Sequence, residues 1–309
     1  MSAETSPAST NTKVISLTQQ ERRSRSLWSE AVAHVLHDRL TMIALVMLFL
    51  LTLVCLFLPP FIENTMGVSA TRTNVVDRYK PPGFKDYILG TDQIGRDQLT
   101  RLMYGGRVSL GVAYGASLLS LTIGIVVGMI AGYYGGRVDD VVIWIISTLS
   151  SIPTIFLLIL VAVIFTPAPE TLVVLLGLLG WIGTSRLVRG EVMALKEREF
   201  MVAARALGAP TWRMMLHQLL PNLISLAIVS LTIDAGSLIL VESGLSYLGL
   251  GVPPPTPSWG NMLTEARKYL TTGTHLIIWP GILIFITVLC FFVVGDGLRD
   301  AFDPRKTGK

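Results

Sequence analysis

The sequence predicts an all-α, polytopic membrane protein with six transmembrane helices. Of the 309 residues, 51% are hydrophobic and only 15% are charged, whereas soluble domains carry about 25% charged residues. Several apolar stretches reach the roughly 20 residues that a helix needs to cross a bilayer. The two cysteines, Cys55 and Cys290, lie inside such stretches, which predicts buried thiols rather than a disulfide or a metal site.

The N-terminal region divides into a tail and a surface helix. Residues 1–19 are polar and lack periodicity, which predicts a disordered tail. Residues 20–39 carry apolar side chains at helical spacing with flanking arginines, and Thr18 with Glu21 has the form of a capping box. This pattern is typical of a helix that lies along the membrane surface, with a short irregular segment as the alternative.

The first span and the polar segment after it come next. Residues 40–58 form the first span, which we expect to end at Pro59-Pro60. Residues 59–107 are too many for a simple hairpin loop, so we expect a small ordered segment on the outer face. Within it, the run LGTDQIGRD at residues 89–97 contains two aspartates and an arginine but no histidine. This composition favours an Asp–Arg pair that holds the loop over a metal site.

Residues 108–298 form the helical core with the other five spans. In the second span, residues 108–133, glycines recur at every fourth position and predict a seam of close helix packing; they are Gly111, Gly115, Gly124, Gly128 and Gly132. Pro153 interrupts the third span and predicts a kink or a local opening of that helix. The last four spans cover residues 141–165, 171–184, 223–248 and 275–294, and residues 299–309 form a basic tail.

The distribution of positive charge predicts the orientation of the chain. Counted along the sequence, 16 of the 25 Lys and Arg residues fall in the N-terminal region, in the segments after the second and fourth spans, and in the C-terminal tail. Cytoplasmic segments of membrane proteins are enriched in Lys and Arg. We therefore expect both termini in the cytoplasm and a multi-pass location in the inner, or cytoplasmic, membrane.

A polar, basic stretch at residues 191–222, which we call the elbow, separates the fourth and fifth spans. Residues 196–207 are mostly good helix formers, and Gly208 fits a left-handed C-cap. Pro210 then fits the start of a second helix, which we expect Pro221 to close. Alanines and large apolar side chains on these helices predict a surface for a partner protein. The alternative is an amphipathic loop that rests on lipid headgroups.

The elbow resembles the cytoplasmic EAA loop of ABC importer permeases, which contains the coupling helix that docks on the ATPase subunit. The matching residues are Glu199, Ala203, Ala204, Gly208, Leu220 and Pro221. The chain departs from the general motif at Val202 and Gln218. On this resemblance, the residues expected to couple the chain to the ATPase are Glu199, Ala203, Ala204, Gly208, Ala209, Trp212, Arg213, Leu220 and Pro221.

Further motifs extend the resemblance over nearly the whole chain, to the C-type permease subunit of oligopeptide, dipeptide and nickel ABC importers. They are LGTDQIGRD at residues 89–97, ESGLSYLGLG at 242–251, PPPTPSWGN at 253–261 and GDGLRDAFDP at 295–304. The chain departs from these permeases on the third span. Where they often carry an Arg–Asp pair, it has Trp144 and Ser147.

The resemblance implies a type I ABC importer permease fold and a set of partners. These are a second homologous permease, two ABC ATPase subunits, an extracytoplasmic substrate-binding protein and the lipid bilayer, with no nucleic acid. ATP and Mg would be bound by the ATPase subunits, so no cofactor is expected in this chain. The implied cargo is di- or oligopeptides, moved by alternating access. Nickel chelates, glutathione or an oligosaccharide are the alternatives.

Two acidic residues inside the fifth span are candidates for the translocation path. Asp234 and Glu242 are eight residues apart and so lie nearly on one helix face. Ionisable groups within spans commonly mark transport pathways. Pro153, at the predicted break of the third span, is a third candidate. The alternatives are a buried hydrogen bond to a neighbouring helix and, for Glu242, a position at the outer interface.

Enzymatic functions find no support in the sequence. It contains no GxSxG or HExxH motif, and its four histidines lie at predicted span ends or in polar segments. It also lacks the GxxxxGK[ST] loop, so energy for transport would come from another subunit or from an ion gradient. A stand-alone ion-driven transporter is the rival function, although the two halves show no convincing repeat.

Overall fold

The computed structural model describes residues 27–165, 168–269, 271 and 273–303, and most of these are helical. Helices α1 to α5 span Leu27–His37, Arg39–Met66, Gln98–Tyr134, Gly136–Ser150 and Thr154–Ile164. Helices α6 to α10 span Pro169–Lys196, Glu199–Ala206, Thr211–Tyr247, Trp259–Ala266 and His275–Ala301. The predicted tail 1–19, the first part of the predicted surface helix, and residues 304–309 lie outside the described residues.

Five of these helices are long and apolar enough to cross a membrane: α2, α3, α6, α8 and α10. The pair α4 and α5 passes the same test when the two are joined, although they bend by 82° at the break between them. The predicted six spans therefore agree with the structure when the bent pair is counted as one span. Pro153 lies at this break as the N-cap of α5, so the predicted interruption of the third span is confirmed.

The N-terminal surface helix is separate from the first span. α1 ends at His37, and the Asp38 carboxylate caps α2 by accepting hydrogen bonds from the N–H groups of Leu40 at 3.3 Å and Thr41 at 3.2 Å. Aspartate is a favoured N-cap because it satisfies N–H groups that the helix leaves free. The Thr41 hydroxyl also donates to this carboxylate and is the main cause of its lowered pKa. The surface helix expected over residues 20–39 therefore stops before the span begins.

The helix of the first span continues through Pro59-Pro60, where we expected it to end. Prolines lack the backbone N–H and normally kink or end a helix, but their fixed φ is close to the helical value, and α2 continues past both of them. α2 ends instead before Gly67, whose φ of 65° is left-handed and stops the helix.

The ordered segment between the first two spans is shorter than the predicted 59–107, because helices occupy both of its ends. α3 begins directly after Asp97, whose carboxylate accepts from the Thr100 N–H at 2.7 Å. The predicted Asp–Arg pair is present, with Nε of Arg96 2.5 Å from Oδ2 of Asp92. We call residues 67–97 the cap, since they form an ordered layer at one end of the bundle.

Glycines let α3 and α6 approach closely. A Cβ atom added to Gly128 would lie 2.5 Å from the Ser185 carbonyl oxygen, and one added to Gly124 would lie 2.8 Å from Cβ of Thr184. Both distances are well below a van der Waals contact, so only glycine fits here. The predicted seam is confirmed for this part of α3. Gly111 takes no part in it, because the space around its Cβ position is open.

Candidate functional site

The elbow consists of the end of α6, the short helix α7, a turn at Gly208 and the start of α8. The Gly208 N–H donates to the Arg205 carbonyl at 3.0 Å. The Ala209 N–H donates to the Ala204 carbonyl, also at 3.0 Å, and these two bonds define a Schellman motif. Gly208 has a φ of 75°, so the predicted left-handed glycine is confirmed. Pro210 is the N-cap of α8 rather than its first residue.

α8 continues through Pro221, where we expected the second elbow helix to close. Residues Met214–Leu219 form a π-helical turn just before it, and the Leu220 N–H donates five residues back to the Met215 carbonyl. Proline inside an α-helix clashes with the carbonyl four residues earlier, and the wider π turn relieves that clash. The elbow and the fifth span therefore form one helix of 37 residues, Thr211–Tyr247.

The inner face of the elbow is anchored to the spans. Met201 of α7 is 0% exposed, as is Leu219 of α8, and Met214 is 1% exposed. These side chains pack in one cluster with Val188 and Val192 of α6, where the flexible methionines fill irregular gaps. The elbow is therefore held against α6 by packing as well as by the chain itself.

The other face of the elbow carries large apolar side chains at the surface. Leu207 is 88% exposed, Trp212 is 60% exposed and Val202 is 53% exposed. The charged side chains of Glu199 and Arg213 are exposed beside them. Exposed large apolar side chains together with charged ones are typical of a protein–protein interface.

The residues expected to couple the chain to a partner all lie on the elbow, and most of them reach its surface. The exposed ones are Glu199, Ala203, Gly208, Trp212, Arg213 and Pro221. The half-buried ones are Ala204, Ala209 and Leu220. These positions are accessible to a partner, and the contact itself stays a prediction.

A cavity of about 370 Å³ lies between α3, the α4–α5 break, α6 and α8. Asp234 of α8 lines it and accepts a hydrogen bond from the Thr184 hydroxyl at 3.1 Å. Ser150 and Thr154 line it from the two sides of the break, so Pro153 shapes the cavity by bending the chain. A carboxylate and hydroxyl groups inside a span are typical of a translocation path. The course of that path stays a prediction.

Glu242 lies outside this cavity and is fully buried. Its carboxylate accepts hydrogen bonds from the Ser109 hydroxyl at 3.1 Å and the Ser246 hydroxyl at 2.8 Å. The Ser109 oxygen in turn accepts from the backbone N–H of Trp259 at 3.2 Å, so this site joins α3, α8 and α9. The structure thus shows the alternative that the sequence left open, a buried hydrogen bond between helices. Over eight residues a helix turns by two full turns and about 80° more. The side chains of Asp234 and Glu242 therefore point in directions about 80° apart, and only Asp234 lines the cavity.

An ion-pair cluster ties the cap to two helices. Oε2 of Glu265 in α9 lies 2.9 Å from Nη2 of Arg96 in the cap and 2.9 Å from Nη2 of Arg101 in α3. Arg101 is 1% exposed and Arg96 is 5% exposed. Burial also raises the pKa of the neighbouring Asp97 carboxyl. Sequence reasoning found Arg96 but missed Arg101 and Glu265, because 164 positions separate those two and no spacing pattern links them.

These features together define the class of the protein. Apolar helices form the bundle, an interrupted span borders a cavity with a carboxylate and hydroxyls, and an amphipathic elbow presents an apolar face. Such an arrangement describes the membrane-embedded component of a transport system.

Comparison with known proteins identifies the family. Residues 124–308 match the family described as binding-protein-dependent transport system inner membrane component, and residues 26–82 match the N-terminal TM domain of oligopeptide transport permease C. The chain therefore belongs to the family of binding-protein-dependent transport system inner membrane components, as its motifs predicted. It is a multi-pass, non-catalytic membrane component.

Named relatives cover most of the chain. It is 37% identical over 284 residues to the oligopeptide transport system permease protein OppC of Bacillus subtilis, and the alignment covers 92% of each chain. It is 36% identical over 286 residues to the dipeptide transport system permease protein DppC of the same organism, with 92% of this chain and 88% of that one covered. It is 38% identical over 217 residues to the glutathione transport system permease protein GsiD of Pectobacterium atrosepticum, with 70% and 72% covered.

Proposed function

We propose that this chain is the transmembrane permease subunit of an ATP-driven importer that moves di- or oligopeptides into the cytoplasm. The names of the two Bacillus subtilis relatives, an oligopeptide and a dipeptide permease, support the peptide substrate. Glutathione, itself a small peptide, is the second candidate because of the Pectobacterium relative.

One continuous helix is the observation that carries this proposal. Trp212 lies at the exposed start of α8, and Asp234 lies in the cavity further along the same helix. At 1.5 Å per residue, about 33 Å of helix separates them. A partner that pushes on the elbow therefore tilts a wall of the cavity directly. Alternating access requires such a link between a docking surface and the substrate path.

The partners follow from the family and from this link. A second homologous permease completes the path, and two ABC ATPase subunits dock on the elbows and hydrolyse ATP with Mg. An extracytoplasmic binding protein delivers the peptide to the side of the cap. The lipid bilayer surrounds the helices, and the elbow and both termini lie in the cytoplasm. This chain needs no cofactor of its own.

Asp234 supplies the counter-charge for the free amine of a peptide. The Thr184 hydroxyl donates to one carboxylate oxygen, which leaves the second oxygen able to accept a further hydrogen bond. The cavity volume of about 370 Å³ falls in the range of small-molecule sites. Serine and threonine hydroxyls around it can bond the backbone amides that all peptides share, whatever their side chains.

A pull-down of the tagged full-length chain in mild detergent tests the proposal. We expect a second permease, ATPase subunits and vanadate-sensitive ATP hydrolysis in the eluate. Trp212→Ala should weaken capture of the ATPase roughly 30-fold, since buried interface tryptophans often contribute 2 kcal/mol or more. Trp144→Ala removes another tryptophan, 68% exposed, and should leave capture unchanged. A chain that purifies alone and without hydrolysis would instead favour an ion-driven transporter.

A further inference from the structure

A second cavity, of about 380 Å³, lies between α6, α8 and α10 at the elbow end of the bundle. Its charged lining comes from Glu191 in α6 and Arg299 in α10, and its uncharged polar lining comes from Asn222, Ser225 and Ser230 in α8. Its apolar lining includes Leu226 and Ile233, which lie further along α8 toward the middle of the span. From residue 222 to residue 233 the helix rises about 16 Å, and beyond Leu226 the α8 lining is apolar except for Ser230.

The two charged side chains of this cavity are accessible to a ligand. Among the described residues, neither Glu191 nor Arg299 forms an ion pair. Both are exposed, so each can meet a ligand without first breaking an internal contact. Two opposite charges in one cavity match a ligand that carries both an anionic and a cationic group.

We propose that this cavity binds a phospholipid with a zwitterionic headgroup. The lipid phosphate lies against Arg299, whose guanidinium matches phosphate geometry, and the lipid ammonium lies against Glu191. The start of an acyl chain fills the apolar depth beside Leu226 and Ile233. Basic side chains between transmembrane helices bind lipid phosphate groups, and Glu191 adds a partner for an ammonium group in this cavity. Glu191 disfavours purely anionic lipids, because its carboxylate would face their phosphate without an ammonium between them.

Native mass spectrometry of the full chain, purified with the subunits that accompany it, tests this proposal. The protein is loaded with equal amounts of phosphatidylethanolamine and phosphatidylglycerol and then washed with detergent. We expect one retained phosphatidylethanolamine per chain. Arg299→Gln should reduce the retention of both lipids roughly tenfold, because the variant loses one hydrogen bond between charged groups.

Glu191→Gln gives the second, sharper result. It removes the ammonium partner but keeps the phosphate partner, so the preference should shift from phosphatidylethanolamine to phosphatidylglycerol while total retention stays nearly constant. Arg137→Gln is the matched control, because Arg137 is an exposed arginine at the same end of the bundle and lies outside the cavity. Its lipid retention should equal that of the unchanged protein.

Other results would overturn the proposal. Equal loss of lipid in Arg137→Gln and Arg299→Gln would show that any positive charge near the membrane suffices. Displacement of the lipid by a zwitterionic dipeptide would show that the cavity takes substrate instead. If Arg299→Gln fails to fold, Ser225→Phe fills the cavity without a change of charge, and unchanged lipid retention in that variant would equally count against a bound lipid.

Discussion

The guanidinium of Arg189 in α6 donates two hydrogen bonds to the carboxylate of Asp139 in α4, one of them 2.5 Å long between Nη2 and Oδ2. The side chains are 27% and 15% exposed. α4 leads to the break beside the cavity, whereas α6 leads to the elbow. This ion pair therefore connects the two elements that the proposed transport cycle has to move together.

Breaking this pair should destabilise the chain. Arg189→Gln leaves a half-buried carboxylate without its partner, and we expect the free energy of unfolding to fall by about 1–3 kcal/mol. The double variant Arg189→Gln/Asp139→Asn should lose less unfolding free energy than the sum of the two single variants, because the two residues share one interaction. Arg186→Gln is the control, since Arg186 donates to the neutral, exposed Ser150 hydroxyl. Equal effects of Arg186→Gln and Arg189→Gln would contradict a special role for the pair.

Two buried cysteines provide the readout for this and the other stability predictions. Cys55 is 1% exposed and Cys290 is 5% exposed, and the sequence contains two cysteines in all. A thiol-reactive dye therefore reports thermal unfolding in detergent without any engineered label.

The glycine seam makes a prediction about two apparently similar glycines of α3. Gly128→Ala should lower the unfolding temperature and the yield of folded protein, because the added Cβ would lie 2.5 Å from the Ser185 carbonyl oxygen and push α6 away. We expect a cost of about 1–3 kcal/mol. Gly111→Ala meets open space and should be neutral. Helix propensity favours alanine over glycine at both positions, so an equal cost at both would contradict the seam as the reason for glycine at position 128.

The turn of the elbow predicts a loss of coupling rather than of folding. Gly208→Pro is incompatible with a φ of 75° and removes the N–H that bonds Arg205. In proteoliposomes with the partner subunits, we expect peptide uptake per ATP hydrolysed to fall while hydrolysis continues. Gly190→Ala, inside α6 with open space around its Cβ, is the control and should leave this ratio unchanged. Normal uptake by Gly208→Pro would contradict the coupling role of the elbow.

The cap cluster should depend strongly on one carboxylate. Glu265→Gln leaves the buried Arg96 and Arg101 with one negative charge fewer, and such a loss costs about 3–5 kcal/mol. Lys85→Gln breaks the Lys85–Asp77 ion pair, 3.2 Å long, but Lys85 is 59% exposed, so the cost should be about 0–1 kcal/mol. Dye-monitored melting compares the two variants. Similar melting temperatures would show that the cluster is not a structural tie.

Peptide recognition should depend on Asp234 but not on Glu242. Asp234→Asn keeps an acceptor for the Thr184 hydroxyl and removes the charge, so folding should persist while the KM for dipeptide uptake rises about tenfold or more. Glu242→Gln keeps an acceptor for the serine hydroxyls outside the cavity and should leave KM unchanged. Competition by glutathione in the same uptake assay tests whether glutathione is also a substrate. An unchanged KM for Asp234→Asn would remove this residue from the path.

The sequence by itself determined the features that depend on local chemistry. The apolar stretches predicted the spans, because the length needed to cross a bilayer is a property of consecutive residues. Gly208 predicted a left-handed turn and Pro153 an interrupted helix, because both residues act through their own backbone. Glycines at fourth positions predicted the seam because they share one face of one helix.

Only the tertiary structure decided which side chains meet across helices. It placed Asp234 in a cavity and Glu242 in a buried hydrogen-bonded site, paired Arg189 with Asp139, and left Gly111 outside the seam. It also carried α8 through its proline on a π turn. The physical reason is that these helices are apolar on all sides, so hydrophobic periodicity does not reveal their rotation about the axis. That rotation is set by packing against neighbours that are distant in the sequence.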